Sequence, residues 1–329
     1  MAAAARPAPV RDRPAAPAPE PPAGPAAPVP GRSPFQLALG RFRRDRAAVA
    51  ALGVLTLIVA FAALAPLWAH LTGHPYHATF PETGLDAGGR PRGPCAAFPL
   101  GADQLGRDVL VRAAYGARIS LAVGVLAALL AAVAGTAAGT LAGFAGGAVD
   151  AVLARLMDMT LALPYLLVAI TLSTTFQIGS AAASLTMTVA VIAFFSFASF
   201  GRIIRGRVLA LTRAEFVEAA RALGASRTRI VVGDLLPNLV AQITVLTSLL
   251  IPASIVFEAT LSFLGAGVRP PMPSWGSMLG EGGDVYRSAW WLLAVPGVLL
   301  LLTTLSFNLL GDGVRDALDP RGDRSAGGG

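Results

Sequence analysis

Six stretches of apolar residues divide this chain of 329 residues, at about 47–67, 119–143, 156–176, 184–203, 238–262 and 289–310. Each holds roughly 20 residues or slightly more, one hydrocarbon thickness at about 1.5 Å of rise per residue. Between the fourth and fifth lies Thr212–Pro237, TRAEFVEAARALGASRTRIVVGDLLP, too polar for a bilayer. Thr212 stands three residues before Glu215, the spacing of a capping box. Phe216, Val217, Ala220 and Leu223 recur at helical spacing and predict one apolar face on a charged helix. Gly224 can adopt the left-handed conformation that ends a helix. Ser226 can cap a second short helix, which Pro237 would limit. The pattern predicts a helix–glycine–helix unit that docks on a soluble partner.

Composition agrees with a polytopic all-α membrane protein: 54% of residues are apolar and 14% charged. All 26 basic residues are Arg and none is Lys. An ordinary phosphate-binding P-loop requires its Lys, so this chain carries no such ATPase site, and Schiff-base chemistry is excluded likewise. One cysteine, Cys95, excludes an internal disulfide framework. The net charge of +7 raises nucleic acid as a partner. Yet the Arg gather at the ends of apolar spans, and the positive-inside rule accounts for them without nucleic acid. With Arg41, Arg43, Arg44 and Arg46 held inside, six crossings put both termini in the cytoplasm, and 19 of the 26 Arg then fall on that side.

The expected organisation is a disordered Ala/Pro-rich tail over 1–34, then a first-span segment over 35–70. An extracytoplasmic loop follows over 71–117, then a five-helix core over 118–311 with the polar loop 205–237, and a C-terminal tail over 312–329. No apolar run precedes Ala47, so no cleavable signal is expected.

Four residues of the second span, Gly135, Gly139, Gly143 and Gly147, form a four-residue glycine repeat suited to close helix packing. Pro164, Pro252 and Pro296 should kink the third, fifth and sixth spans. Asp103, Arg107, Asp108 and Arg112 alternate in sign and predict an amphipathic helix at the outer surface. Trp275, in a Pro/Gly-rich loop, reads as an interfacial aromatic. Two carboxylates lie within spans and are functional candidates: Glu258 on the translocation pathway, and Asp158, which Arg155 could neutralise. His70, His74 and His77 are close enough to suggest a metal, but Gly73 and Pro75 break the helix that would align them, so no metal site is assigned. No set of residues supports catalytic turnover.

EAARALGASRTRIVVGDLLP resembles the EAA loop of membrane subunits of binding-protein-dependent ABC importers. Glu218, Ala219, Ala220, Gly224, Leu236 and Pro237 fill that pattern, with Asp234 where it has an apolar residue. PLGADQLGRDVLVRAAYGARISL, SFLGAGVRPPMPSWGSML and FNLLGDGVRDALDPR are similar to the "C" type subunit of the dipeptide/oligopeptide/nickel permease family. The resemblance runs from about Phe35 to Arg321 and implies a type I ABC importer permease fold in the bacterial inner membrane. It implies a heterodimer with a related "B" type permease, two cytoplasmic ATPase subunits that carry ATP and Mg, and an extracytoplasmic solute-binding protein. No cofactor would sit on this chain. Glu215, Glu218, Ala219, Ala220, Gly224, Ala225, Leu236 and Pro237 would couple it to an ATPase. The cargo would be a peptide, nickel or another small solute. Two rival readings are an ion-coupled secondary transporter and a scaffold with no transport role.

Overall fold

A computed structural model describes residues 34–176 and 180–318. The expected tail over 1–34 lies almost wholly outside the described residues, as does the chain after 318. The elements are α1 (Pro34–Arg44), α2 (Arg46–Ala63), α3 (Ala65–Thr72), α4 (Pro81–Gly84), α5 (Val109–Ala145), α6 (Gly147–Ala162), α7 (Tyr165–Thr175) and α8 (Ala181–Leu211). After these come α9 (Glu215–Ala222), α10 (Arg227–Arg229), a π-helical turn (Ile230–Leu235), α11 (Leu236–Phe263), α12 (Trp275–Gly282) and α13 (Trp291–Leu318).

Five of these helical stretches are long and apolar enough to cross a membrane, and six if α6 and α7 together make one. The third expected span is the broken one. Leu163 and Pro164 leave the helix, and α6 and α7 meet at 82°. Proline's missing N–H and its ring account for the break, which goes far beyond a kink. Pro252 and Pro296, by contrast, lie inside continuous helices. Large side chains such as Leu57, Val133 and Leu301 are exposed on the outside, as an apolar solvent permits.

α5 and α8 form the central pair, and glycine sets their separation. A Cβ on Gly135 would stand 2.9 Å from the Gly201 backbone N, and one on Gly139 or Gly143 would stand 2.9 Å from backbone atoms of Arg205. No real side chain fits there, so the two backbones touch. Gly147 is not part of this ridge: it begins α6 at φ +54°, with nothing near its Cβ position. The four-residue repeat outlasts the helix, because the chain turns at Gly146. Gly139→Leu should therefore lower stability by about 1–3 kcal/mol or more through overpacking. Gly206→Ala, elsewhere on α8 and in open space, should be neutral or slightly stabilising. Thermal unfolding of the two purified variants in detergent checks the contrast.

α11 packs on α5 and α13, and α2 leans on α13. Val123, Ala127, Ile192, Phe195 and Leu261 close the middle of the bundle between α5, α8 and α11. Residues 99–108 form no amphipathic helix. They make turns and an isolated bridge between Ala102 and Asp108, and Asp108 then caps α5 by accepting from the Leu110 N–H at 2.9 Å. Helical charge spacing was present there, but Gly101 and Gly106 take positive φ and bend the chain instead.

Candidate functional site

The polar stretch between α8 and α11 folds into a compact elbow. No capping box starts α9: Ala214 is its N-cap, and the Thr212 hydroxyl donates back to the Leu209 carbonyl at 3.0 Å. α8 runs longer than its apolar stretch, and Thr212 is spent at its end. Glu215 and Glu218 remain in the first turn of α9, where the helix dipole favours a negative charge. Gly224 ends α9 at φ +79°. The Gly224 N–H donates to the Arg221 carbonyl and the Ala225 N–H to the Ala220 carbonyl, both at 3.0 Å, which closes a Schellman turn. Ser226 then caps the next turn by accepting from the Arg229 N–H at 3.3 Å.

Pro237 does not limit that second helix. α10, the π-turn and α11 run on as one helical stretch, Arg227–Phe263. Pro237 sits in the first turn of α11 beside the widened π-turn, where its missing N–H is tolerated.

The elbow has two faces. Val217 is fully buried against Ile204, Val208, Ile230, Leu235 and Leu239, with Ala220, Ala225 and Leu236 packed around them. Burying such a side chain contributes roughly 1.5–3 kcal/mol, enough to hold the elbow on the bundle. Phe216, Ala219 and Leu223 point the other way, and Leu223 is 88% exposed. The predicted single apolar face is thus split: one half anchors the helix and the other half stands free. Asp234 is half-buried, and its carbonyl accepts from the Asn238 amide at 2.6 Å.

At the opposite end of the bundle the structure gathers charges that lie far apart in the chain. Asp103 accepts from Arg107 Nε at 2.6 Å and from Arg112. Glu281 on α12 accepts from Arg107 Nη2 and Arg112 Nη1, each at 2.7 Å, and from Arg112 Nη2 at 2.9 Å. Glu281 carries half of this network, and no local pattern marks it. Asp108 belongs to a different contact, with His74 Nδ1 at 2.9 Å, and His74 stacks on Phe98. Trp275 is no interfacial aromatic. It is fully buried among Ile58, Ala62 and Ala117, and its indole N–H donates to the Ala113 carbonyl at 3.1 Å.

Glu258 is fully enclosed in the seam between α5 and α11. Its carboxylate accepts from Ser120 at 2.8 Å and Ser262 at 2.6 Å, and Ser120 in turn accepts from the Trp275 N–H at 3.2 Å. The carboxylate therefore ties α5, α11 and the start of α12 together. It is not among the residues lining the cavity between α6, α7, α8 and α11. Asp158 pairs with Arg202 on α8 rather than with Arg155, and Arg205 holds Asp150 nearby, with Nη2 to Oδ2 at 2.7 Å. Arg155 is close in sequence, but α8 is the helix packed on α6.

A bundle of membrane-crossing helices, pinned at one end and carrying a stiff exposed elbow at the other, is the build of a membrane transport subunit. Residues 135–324 match the family described as the binding-protein-dependent transport system inner membrane component, and the chain belongs to it. Residues 33–85 match the N-terminal TM domain of oligopeptide transport permease C. The oligopeptide transport system permease protein OppC of Escherichia coli K12 is 42% identical over 303 residues, covering 89% of this chain and 93% of that protein. The glutathione transport system permease protein GsiD of Pectobacterium atrosepticum is 40% identical over 290 residues, covering 88% and 92%. Among solved structures, a chain of the MetNI methionine ABC transporter in an inward-facing conformation shares the fold. The TM-score is 0.51 at 16% identity, over 62% of this chain and 94% of that one. The protein is a multi-pass inner-membrane permease with the fold of an ABC importer subunit.

Proposed function

We propose that this permease carries peptides inward, driven by ATP hydrolysis on separate ATPase subunits that dock on the α9–Gly224–α10 elbow. The carrying observation is the elbow's construction. Phe216, Ala219 and Leu223 offer an exposed apolar ridge beside Glu215 and Glu218, while Val217 fixes the same helix to the bundle. Beyond Gly224 the helix continues unbroken from Arg227 to Phe263. A push on the ridge is therefore delivered to a rod that reaches the other side of the bundle. Packed interfaces have discrete arrangements rather than continuous ones, so such a push would switch the bundle between two packings.

In this reading both termini and the elbow lie in the cytoplasm, ATP and Mg stay on the ATPases, and this chain holds no cofactor. A related permease completes the pathway, and a solute-binding protein delivers cargo at the end that carries Asp103, Arg107, Trp275 and Glu281. Peptide cargo is favoured by relatives named for oligopeptide and glutathione transport.

Reconstitution tests it. The permease pair with its ATPases and binding protein in proteoliposomes should accumulate a labelled oligopeptide only when ATP is supplied on the elbow side. Uptake driven by an ion gradient without the ATPases would overturn the reading, and so would ATP-dependent uptake of nickel but not of peptide.

A further inference from the structure

α1 ends on a cluster of charge at the edge of the first span. Residues 41–46 read RFRRDR, four arginines to one aspartate. Asp45 is already engaged, since its carboxylate caps α2 by accepting from the Ala47 N–H at 2.9 Å and the Ala48 N–H at 3.1 Å. Arg43, Arg44 and Arg46 are exposed, and among the described residues no acidic side chain pairs with them. The fold itself makes no use of the charge on Arg46, which opens α2, where the helix dipole disfavours a cation.

Packing fixes the depth of this cluster. α1 lies on the end of α13, where a Cβ on Gly313 would stand 3.5 Å from the Phe42 ring. α13 crosses with 27 residues, Trp291–Ala317, about 40 Å at about 1.5 Å each, against roughly 30 Å of hydrocarbon. The surplus falls at its polar end, residues 311–318, GDGVRDAL, so Gly313 and the turn of α1 against it stand at headgroup depth. Leu39, one helical turn before Arg43, is 41% exposed. A turn that offers guanidiniums and an apolar side chain at one depth fits a lipid, whose phosphate and acyl chains adjoin there. The α9–Gly224–α10 elbow is a separate surface, packed on α8 and α11.

We propose that Arg43, Arg44 and Arg46 bind the phosphate of an anionic phospholipid in the leaflet at this end of the bundle. Guanidinium forks take a phosphodiester in paired hydrogen bonds, and the excess of positive charge favours a net negative headgroup over a zwitterionic one. Leu39 rests on the first methylenes of the acyl chains. The bound lipid neutralises the cluster and holds α1 against the end of α13. The site stands whichever solute the permease carries.

Gly40 lies on α1 with nothing within 4 Å of its Cβ position, so Gly40→Cys with Cys95→Ser places this chain's single thiol beside the cluster. The permease pair with its ATPases is labelled with bimane and placed in phosphatidylcholine nanodiscs, with the Cys95→Ser complex as the blank. A small fraction of the lipid carries an acyl-chain nitroxide quencher, either on phosphatidylglycerol or on phosphatidylcholine. The phosphatidylglycerol form should quench several-fold more strongly at equal mole fraction, and raised salt should shrink the difference. Each single Arg→Gln change at 43, 44 or 46 should lower this preference by about two- to fivefold, and the triple change should abolish it. Quenching by the phosphatidylcholine form should be unchanged in the triple Gln variant, which keeps α1 at the membrane, and the triple Arg→Lys variant should keep most of the preference. Unlabelled phosphatidylglycerol should relieve the quenching, and inorganic phosphate should not. Equal quenching by both lipids with all three arginines present, or a preference that survives the triple Gln change, would overturn the site. So would relief by inorganic phosphate or by an RNA oligonucleotide at a phosphate concentration matched to the lipid.

Discussion

Gly224→Pro should abolish ATP-driven uptake while the protein still inserts in the membrane. Proline holds φ near −65°, whereas Gly224 sits at +79°, and its N–H donates to the Arg221 carbonyl. The substitution removes the Schellman turn, at a local cost of about 3 kcal/mol, and redirects α9 away from the bundle. Copurification of the ATPase subunits and peptide uptake should each fall by about tenfold or more, since a lost docking geometry is worth at least one such factor. Glu218→Arg separates docking from folding. Glu218 is exposed in the first turn, so the reversed charge leaves the core of the elbow intact and weakens only what binds there. Normal copurification of ATPases with both variants would remove the elbow from the docking role.

The second large effect lies at the other end. Arg112→Met should destabilise the protein by about 3 kcal/mol, because it removes the buried cation from Asp103 and leaves that carboxylate and the partly exposed Glu281 with Arg107 alone. Arg112 is 3% exposed and bonds both carboxylates. Arg107, at 13% exposure, contacts the same two groups from the rim. Arg107→Met should cost less, since the buried Arg112 still holds both carboxylates. Melting temperatures of the two variants in detergent decide the order. If Arg107→Met proves the worse, the network is held from its edge and not from α5. Loss of either Arg should also loosen α12 from the 99–108 turns, which proteolysis of the outer loops would detect.

Much of the site was legible where the signal is local. Gly224 and Ser226 announced the elbow because a left-handed turn and an N-cap are decided within a few residues. Glu258 announced itself as a carboxylate in an apolar run, but its surroundings did not follow: Ser120 is 138 residues away. The Thr212–Glu215 spacing misled for a physical reason. A threonine hydroxyl serves whichever backbone group is nearer, and at the end of a long α8 that is the Leu209 carbonyl. The glycine repeat misled at Gly147 alone, since periodicity says nothing about where a helix stops.

By itself, then, the amino-acid order determined what depends on near neighbours and on the solvent: the membrane spans, the capped turn at Gly224 and the glycine ridge on α5. The tertiary structure decided everything that joins distant segments. Glu281 meets Arg112 across 169 residues, Arg202 rather than Arg155 takes Asp158, and Trp275 leaves the interface for the core. Spacing along one helix fixes which side chains share its face. Which neighbour that face meets depends on how the helices pack, and here the 82° break at Pro164 and the close approach of α5 to α8 set that packing.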